Sequence, residues 1–487
     1  MEHTPPGRMQ SVDELRARLR AIDPELDCDT ELEGADGPLG KPLELRFKSQ
    51  RGGRTLANRF CVHPMEGWDG EHDGTPSELT LRRWLRFGRS MSKLIWGGEA
   101  FAVSEDGRAN DRQLFLNPAA DTKGGLARLL AALHEGHEEI GEDPDELYVG
   151  LQLTHSGRWA HPHGSNAEPR IAYRHPVLDA RFGLASDHPV LTDGELEAIG
   201  ACYVRAAELA RDVGFDFIDV KSCHGYLMHE LLGARAREGR YGGSFENRTR
   251  FFREVVAGIR TACPELEIGV RVSVADVFPF TKDPETGVGA PRGWEEHVPY
   301  EHGFGIDRDD PRCFDLEEPL RFLGLLQELG IGLVNVSIGC PYTSPHVQRP
   351  ATYPPSDGYL PPEDPLVGVA QHLRVTRACK EAFPDLVVVG SGYSYLQEYL
   401  PHVAQHEVRA GHVDLVGLGR MVLTYPELPY DVLRGNGLQR KRICRTFSDC
   451  TTGPRHNIVS GCYPLDPFYQ RRPEAERIRA VKKEAGT

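Results

Sequence analysis

The sequence predicts a parallel α/β barrel of eight strand–helix units, a (β/α)8 or TIM-type architecture, and three observations carry that prediction. Short apolar runs rich in Val, Ile and Leu recur along the chain, as strands buried on both faces do. Amphipathic stretches of helical period lie between several of them, the alternation that right-handed parallel crossovers require. Polar, titratable residues gather where the runs end, and a barrel keeps its chemistry at the C-terminal ends of its strands. Taken in order, the strands fall at 58–63, 94–103, 147–155, 215–221, 267–273, 332–338, 386–390 and 413–417. Helical stretches fall at 193–213, 248–261, 319–329 and 366–382. A doubly wound sheet is the competing topology. Residues 1–45 read as an N-terminal extension around one helical patch at 12–22, residues 46–440 as the barrel, and residues 441–487 as a short C-terminal extension. Its end, from 471, reads as a charged surface helix or a disordered segment. Residues 277–315, rich in Pro, Gly, Asp and His, follow the fifth strand and are expected to form a long active-site loop or lid. The Pro- and Tyr-rich residues 340–365 follow the sixth and are expected to wall the pocket.

Bulk properties set the class. A chain of 487 residues is long enough for a large barrel with long loops. Its net charge of −15, with both signs spread throughout, argues against nucleic-acid and anionic-membrane partners, which select for basic patches. The apolar runs are too short to span a bilayer, and the N-terminus lacks the apolar core of a secretory signal. Eleven scattered cysteines then read as reduced thiols in a cytoplasmic compartment.

Two constellations carry chemistry. The fourth strand ends at Lys221, Ser222, Cys223, His224 and Tyr226. Strand alternation turns Cys223 away from Ser222 and His224, so it is read as packing. The seventh and eighth strands end in glycine turns, Gly390-Ser391-Gly392 and Gly417-Leu418-Gly419-Arg420. Loops after strands 7 and 8 of a barrel commonly bind phosphate, and glycine lets backbone N–H groups approach it. Arg420 can add a charge-assisted contact. Two ordinary tight turns with a surface arginine are the alternative.

The stretch from His224-Gly-Tyr226 through Arg240-Tyr-Gly-Gly-Ser244 to Glu246-Asn-Arg248 closely resembles the signature of the Old Yellow Enzyme family of NADH:flavin oxidoreductases, with relatives in dienoyl-CoA reductase and trimethylamine dehydrogenase. The resemblance covers about residues 46–440, motif by motif, and implies an FMN-binding barrel with NAD(P)H as electron donor. Asn58-Arg59-Phe60 with Pro64-Met65 looks like the first-strand motif that meets the flavin ring, and Gly98-Glu99-Ala100 like the second-strand contact. The resemblance makes Gln152 the partner of the flavin pyrimidine edge. It sets Arg271 beside the N1–O2 side, where a cation stabilises the anionic reduced ring. A satisfied core amide and a buried salt bridge are the alternatives for these two. Phosphate then falls to Gly390, Ser391, Gly392, Gly419 and Arg420. The resemblance also implies roles at the fourth strand. Lys221 and His224 stand where a pair polarises a carbonyl on the substrate, and Tyr226 stands where a tyrosine protonates the α-carbon as hydride reaches the β-carbon. A packed aromatic and a structural histidine are the bland readings of Tyr226 and His224.

The chain departs from the family's pattern at two places. Lys221 replaces the usual histidine, and Glu66 follows Pro64-Met65 where many relatives carry Thr or Cys. The two can pair across the pocket, Lys221 can hold an anionic group on the substrate, or Lys221 can snorkel to solvent. An anionic substrate is therefore expected, and simple enone reduction is in doubt. In longer relatives a 4Fe–4S cluster follows the barrel. Here Cys444, Cys450 and Cys462 are one short of the four thiolates it needs, which argues against a cluster or any metal. The favoured function is FMN-dependent reduction of an activated C=C bond, of the ene-reductase type. Flavin-dependent dehydrogenation or demethylation of a small amine is the alternative, and a non-redox phosphate-binding lyase or isomerase is the third class. A small-molecule substrate is the expected partner, with homo-oligomerisation as a further alternative.

Overall fold

A computed structural model describes residues 3–46, 53–164 and 166–485. Eight parallel strands close into a barrel: β1 (Phe60–Val62), β2 (Leu94–Ile95, resumed at Ala100–Ala102), β3 (Tyr148–Thr154), β4 (Phe217–Val220), β5 (Glu267–Ser273), β6 (Leu333–Ser337), β7 (Val387–Gly390) and β8 (Leu415–Leu418). Closure is direct, with Val416, Gly417 and Leu418 of β8 opposite Phe60, Cys61 and Val62 of β1. The doubly wound alternative is thereby excluded. A helix follows each strand: α1 (Glu78–Gly88), α2 (Thr122–Glu138), α3 (Asp193–Val213), α4 (Arg250–Ala262), α5 (Glu317–Glu328), α6 (Pro365–Ala382), α7 (Leu400–Arg409) and α8 (Leu428–Arg434). The ends of α3 show why these residues form a helix. Thr192 and Glu195 cap its N-terminus reciprocally, at 3.2 and 2.8 Å. Gly214 ends it at φ 108°, a conformation open to glycine at little cost.

Inside the barrel the side chains sort by height. Cys61, Leu94, Tyr148, Phe217, Leu333 and Leu415, near the starts of their strands, form an apolar floor with Leu45 and Leu56. The last two come from an antiparallel pair, Leu43–Leu45 with Arg54–Leu56, that plugs the N-terminal end. Above this floor the inward positions turn polar, at His63, Gln152, Asp219, Arg271 and Asn335, and all five are buried. Register makes this a layer, since Gln152 stands opposite Asp219 and Arg271 opposite Asn335.

One expectation needs correction. The second strand is not continuous. Gly97 and Gly98 take φ of 112° and 43° and break it, and a Cβ on Gly98 would meet the Trp84 ring at 2.8 Å. The long loop after β5 contains a small antiparallel pair, Thr281–Lys282 with Gly289–Ala290. Of the two readings of the C-terminal tail, the surface helix is the one the structure shows. Its helix, Glu474–Ala485, buries Ile478 against Ile458, Tyr463 and Tyr469, and Lys482 pairs with Asp449 at 2.7 Å. The extension is pinned to α1, where Arg82 meets Asp466 at 2.9 Å and stacks on Phe468 at 4.1 Å. Among the described residues no helix is long and apolar enough to cross a membrane.

Candidate active site

At the C-terminal mouth of the barrel lies a cavity of about 270 Å³. Pro64, Met65, Glu66, Gln152, Lys221, His224, Tyr226, Arg271, Ser391, Gly392, Gly419 and Arg420 all line it. Asn58, Arg59 and Phe60 of the first-strand motif and Gly98 and Glu99 of the second do not, and neither do Ala100 and Gly390. Ala100 is buried behind the wall, its carbonyl accepting from Gln113 Nε2 at 2.8 Å. Gly390 sits one residue below the Ser391–Gly392 turn.

One end of the cavity is an acid–base cluster. The Tyr226 hydroxyl donates to Glu66 Oε2, and the Tyr342 hydroxyl lies 2.9 Å from that of Tyr226. Burial, then the Glu66 carboxylate, pushes the Tyr226 phenol well above its ordinary value, so it stays protonated. Lys221 Nζ stands 3.7 Å from the centre of the Tyr226 ring and 3.8 Å from Glu66 Oε2. The lysine does not snorkel, being only 5% exposed. Burial lowers its pKa, and Glu66 partly restores it. His224 adopts φ 64°, an uncommon conformation for a side-chain-bearing residue. Its backbone N–H donates to Ser273 Oγ at 3.1 Å. Its Nε2 lies 3.0 Å from Ser337 Oγ and 3.3 Å from Gln348 Nε2. An amide nitrogen donates, so this network assigns the proton to Nδ1. Burial, then Arg271, drives the imidazole pKa well down, so His224 is neutral.

The middle of the cavity is organised by Asp219, a residue outside the family motifs. Asp219, fully buried, accepts from Gln152 Nε2 at 2.6 Å and Trp96 Nε1 at 2.8 Å on one oxygen, and from the Arg271 backbone N–H at 2.7 Å on the other. It fixes the amide of Gln152 with its carbonyl oxygen left as an acceptor. The signal was present in the sequence. Asp219 is the one carboxylate on the inward face of β4, in period with Lys221. His63 also lies outside those motifs. Asn335 Nδ2 faces its Nδ1 at 3.0 Å, so its Nε2 carries the proton toward Ser391 Oγ at 3.1 Å. A Cβ on Gly417 would meet this ring at 2.0 Å, which is why that turn needs glycine.

The far end is cationic. Arg420 Nη2 donates to the Pro350 carbonyl at 2.6 Å and Arg349 Nη1 to Thr451 Oγ1 at 2.5 Å. Arg420 Nη1, Arg349 Nη2 and Arg271 Nε are buried donors with no acceptor. Burial, then the like charges of Arg455 and Arg420, lowers the Arg349 pKa. Unsatisfied buried donors on adjacent like charges are costly unless an anion joins them. A Cβ on Gly419 would meet nothing within 4 Å, so the space beside them is open. Beyond this wall Cys444, Cys450 and Cys462 share a small cavity with Arg420. Among the described residues no group of three His, Cys, Asp or Glu is placed to hold a metal ion.

A profile of the NADH:flavin oxidoreductase / NADH oxidase family matches residues 42–286, and the chain belongs to that family of FMN-dependent oxidoreductases. Its relatives include an NADPH dehydrogenase of Clostridium acetobutylicum, 30% identical over 230 residues, which are 45% of this chain and 61% of that protein. The chain thus spans about three-fifths of the length of the curated relatives it matches. In fold it is similar to 2-naphthoyl-CoA reductase (TM-score 0.62, 18% identity, 89% of this chain and 57% of that one). It is similar also to morphinone reductase (TM-score 0.53, 20% identity, 83% and 91%). The donors described above fit FMN: two guanidiniums and an open glycine turn for its phosphate, Arg271 and Gln152 for its ring. Replacing Arg420 with Ala should remove a charge-assisted contact of about 1.5–3 kcal/mol. The folded variant is expected to purify with much less flavin. Full flavin occupancy at unchanged affinity would remove Arg420 from the phosphate site.

Proposed function

We propose that the protein reduces an activated C=C bond, taking electrons from NAD(P)H through bound FMN, and that its substrate carries negative charge. The observation that carries this reading is the convergence of a protonated phenol, a buried ammonium and a neutral imidazole on one end of a cavity whose other end presents unpaired guanidinium donors. FMN, when bound, supplies the hydride. The chain supplies the rest. Lys221 and His224 hold the electron-withdrawing oxygen of the substrate, stabilising the charge that develops there. Tyr226 delivers its proton to the α-carbon. Glu66 and Tyr342 hold the phenol in place.

Oxidation of a small amine is the weaker reading. A protonated amine entering this cavity meets Lys221, Arg271 and Arg349, and of the charged residues on its lining only Glu66 is a carboxylate. A non-redox lyase uses the anion cradle but gives Gln152 and Arg271 no task.

Lys221→His tests the charge preference. A cation in a desolvated pocket gains more from an anion than from a neutral carbonyl. The variant should turn over neutral enones faster and bind small anions, which reach only the inner cavity, more weakly. Unchanged preferences would sink the role given to Lys221. The same reasoning sets a pH dependence. Burial lowers the Lys221 pKa, and the ammonium loses its charge as pH rises through that value. Anion affinity in the wild type is expected to fall on the alkaline side, before an ordinary lysine titrates, and this fall should vanish in Lys221→His. Calorimetric titration across the alkaline range checks both.

A further inference from the structure

A second compartment of about 720 Å³ adjoins the first, and Glu66, Tyr342, Arg349 and Thr451 line both. It is large enough for a ligand of several rings. Its walls combine two kinds of side chain. The first is aromatic. Tyr342 lies stacked 6.2 Å from Tyr226, Trp159 stacks on Tyr342 at 4.2 Å and 13°, and Phe182 leans on Trp159 at 5.1 Å. A continuous run of rings therefore leads outward from the proton donor.

The second kind is cationic. Arg181, Lys282, Arg349 and Arg455 line the compartment, against two carboxylates, Glu66 and Asp357. Both carboxylates are engaged, Glu66 with Tyr226 and Lys221, and Asp357 with Arg455. Arg181 and Lys282 have no carboxylate within ion-pair distance among the described residues. They arrive from different loops, Arg181 from the helix Pro176–Phe182 after β3 and Lys282 from the antiparallel pair after β5. In a chain of net charge −15, a compartment that gathers free cations over aromatic walls runs against the whole molecule.

We infer that this compartment binds the distal part of the substrate, and that the substrate is a planar aromatic molecule with an anionic group at the end away from the reacting bond. Its arene lies along Tyr342 and Trp159, and its anion reaches Arg181 and Lys282. This rests on the inner cavity being the site of alkene reduction. The reduced nicotinamide donor is also planar and anionic, so the test must separate the two.

The test uses the flavin-loaded enzyme and 4-(3-oxobut-1-enyl)benzoate, an enone whose ring carries a carboxylate at its far end, with the corresponding carboxamide as the neutral control. Binding to the oxidised enzyme is measured by calorimetry. The carboxylate is expected to bind at least tenfold tighter than the carboxamide. The double variant Arg181→Ala, Lys282→Ala is expected to lose that tenfold preference while reducing small neutral enones at the wild-type rate. Equal affinities in the wild type, or an undiminished preference in the variant, overturn the inference. A variant that keeps the preference but needs far more NAD(P)H would assign the compartment to the electron donor and overturn it as well. If the preference is found and lost as expected but no enone is reduced, the reading of the inner cavity fails while the anion site stands.

Discussion

Tyr226→Phe is expected to slow reoxidation of the reduced enzyme by an activated alkene by about 10²–10⁴-fold, the range a positioned general acid contributes. Reduction by NAD(P)H should be nearly unchanged, because no carbon is protonated in that step. The split between the two halves is the informative part. A merely structural tyrosine would damage both, since its hydroxyl holds Glu66 and Tyr342 in one network. Stopped-flow absorbance follows each half separately. Two unaffected rates would show that another group delivers the proton.

Asp219→Leu is expected to lower stability by about 3 kcal/mol or more. The carboxylate takes three buried donors, from Trp96, Gln152 and Arg271, and each donor stranded without a partner costs about 1–3 kcal/mol. Burial already raises the Asp219 pKa, so removing the charge recovers some desolvation cost and keeps the total below the simple sum. Asp219→Asn keeps the shape and one acceptor oxygen and should fall between. The variants should also bind flavin more weakly, because Gln152 loses the contact that aims its amide. Urea midpoints measured on the apo and flavin-loaded forms separate these effects. An Asp219→Leu protein as stable as the wild type would mean that the three donors find other acceptors.

The sequence was most informative where periodicity and chemistry agree. Glu267–Ser273 and Asp193–Val213 occur as expected because a strand buried on both faces and a long capped amphipathic helix each leave an unmistakable pattern. The second strand departs from its expected run because Gly97 and Gly98 sit inside an apolar stretch and break it through backbone conformation, which hydropathy does not register. In the candidate site, the residues brought together from β1, β3, β4, β5, β7 and β8 were those that motifs name. Those missed work through contacts distant in sequence. Tyr342, Gln348 and Arg349 come from the loop after β6, where Pro- and Tyr-rich composition marks a wall without naming its members. Asp219 and His63 lay within strands and were read as strand. Attention to the inward face of β4 would have found the first. The C-terminal extension offered little signal, since its helix is anchored by single contacts such as Ile478 and Lys482 and not by a long apolar face.

The central claim is that one cavity holds FMN and passes a hydride onward to an activated alkene that Tyr226 protonates. An anaerobic double-mixing experiment tests it most directly. The purified yellow protein is bleached with one equivalent of NADH or NADPH, then mixed with a conjugated enone carrying a carboxylate, and the product is analysed. The account predicts that the flavin colour returns at a rate dependent on enone concentration, with one equivalent of saturated product formed. A colourless protein, or a bleached flavin that oxygen reoxidises but no activated alkene does, would contradict it.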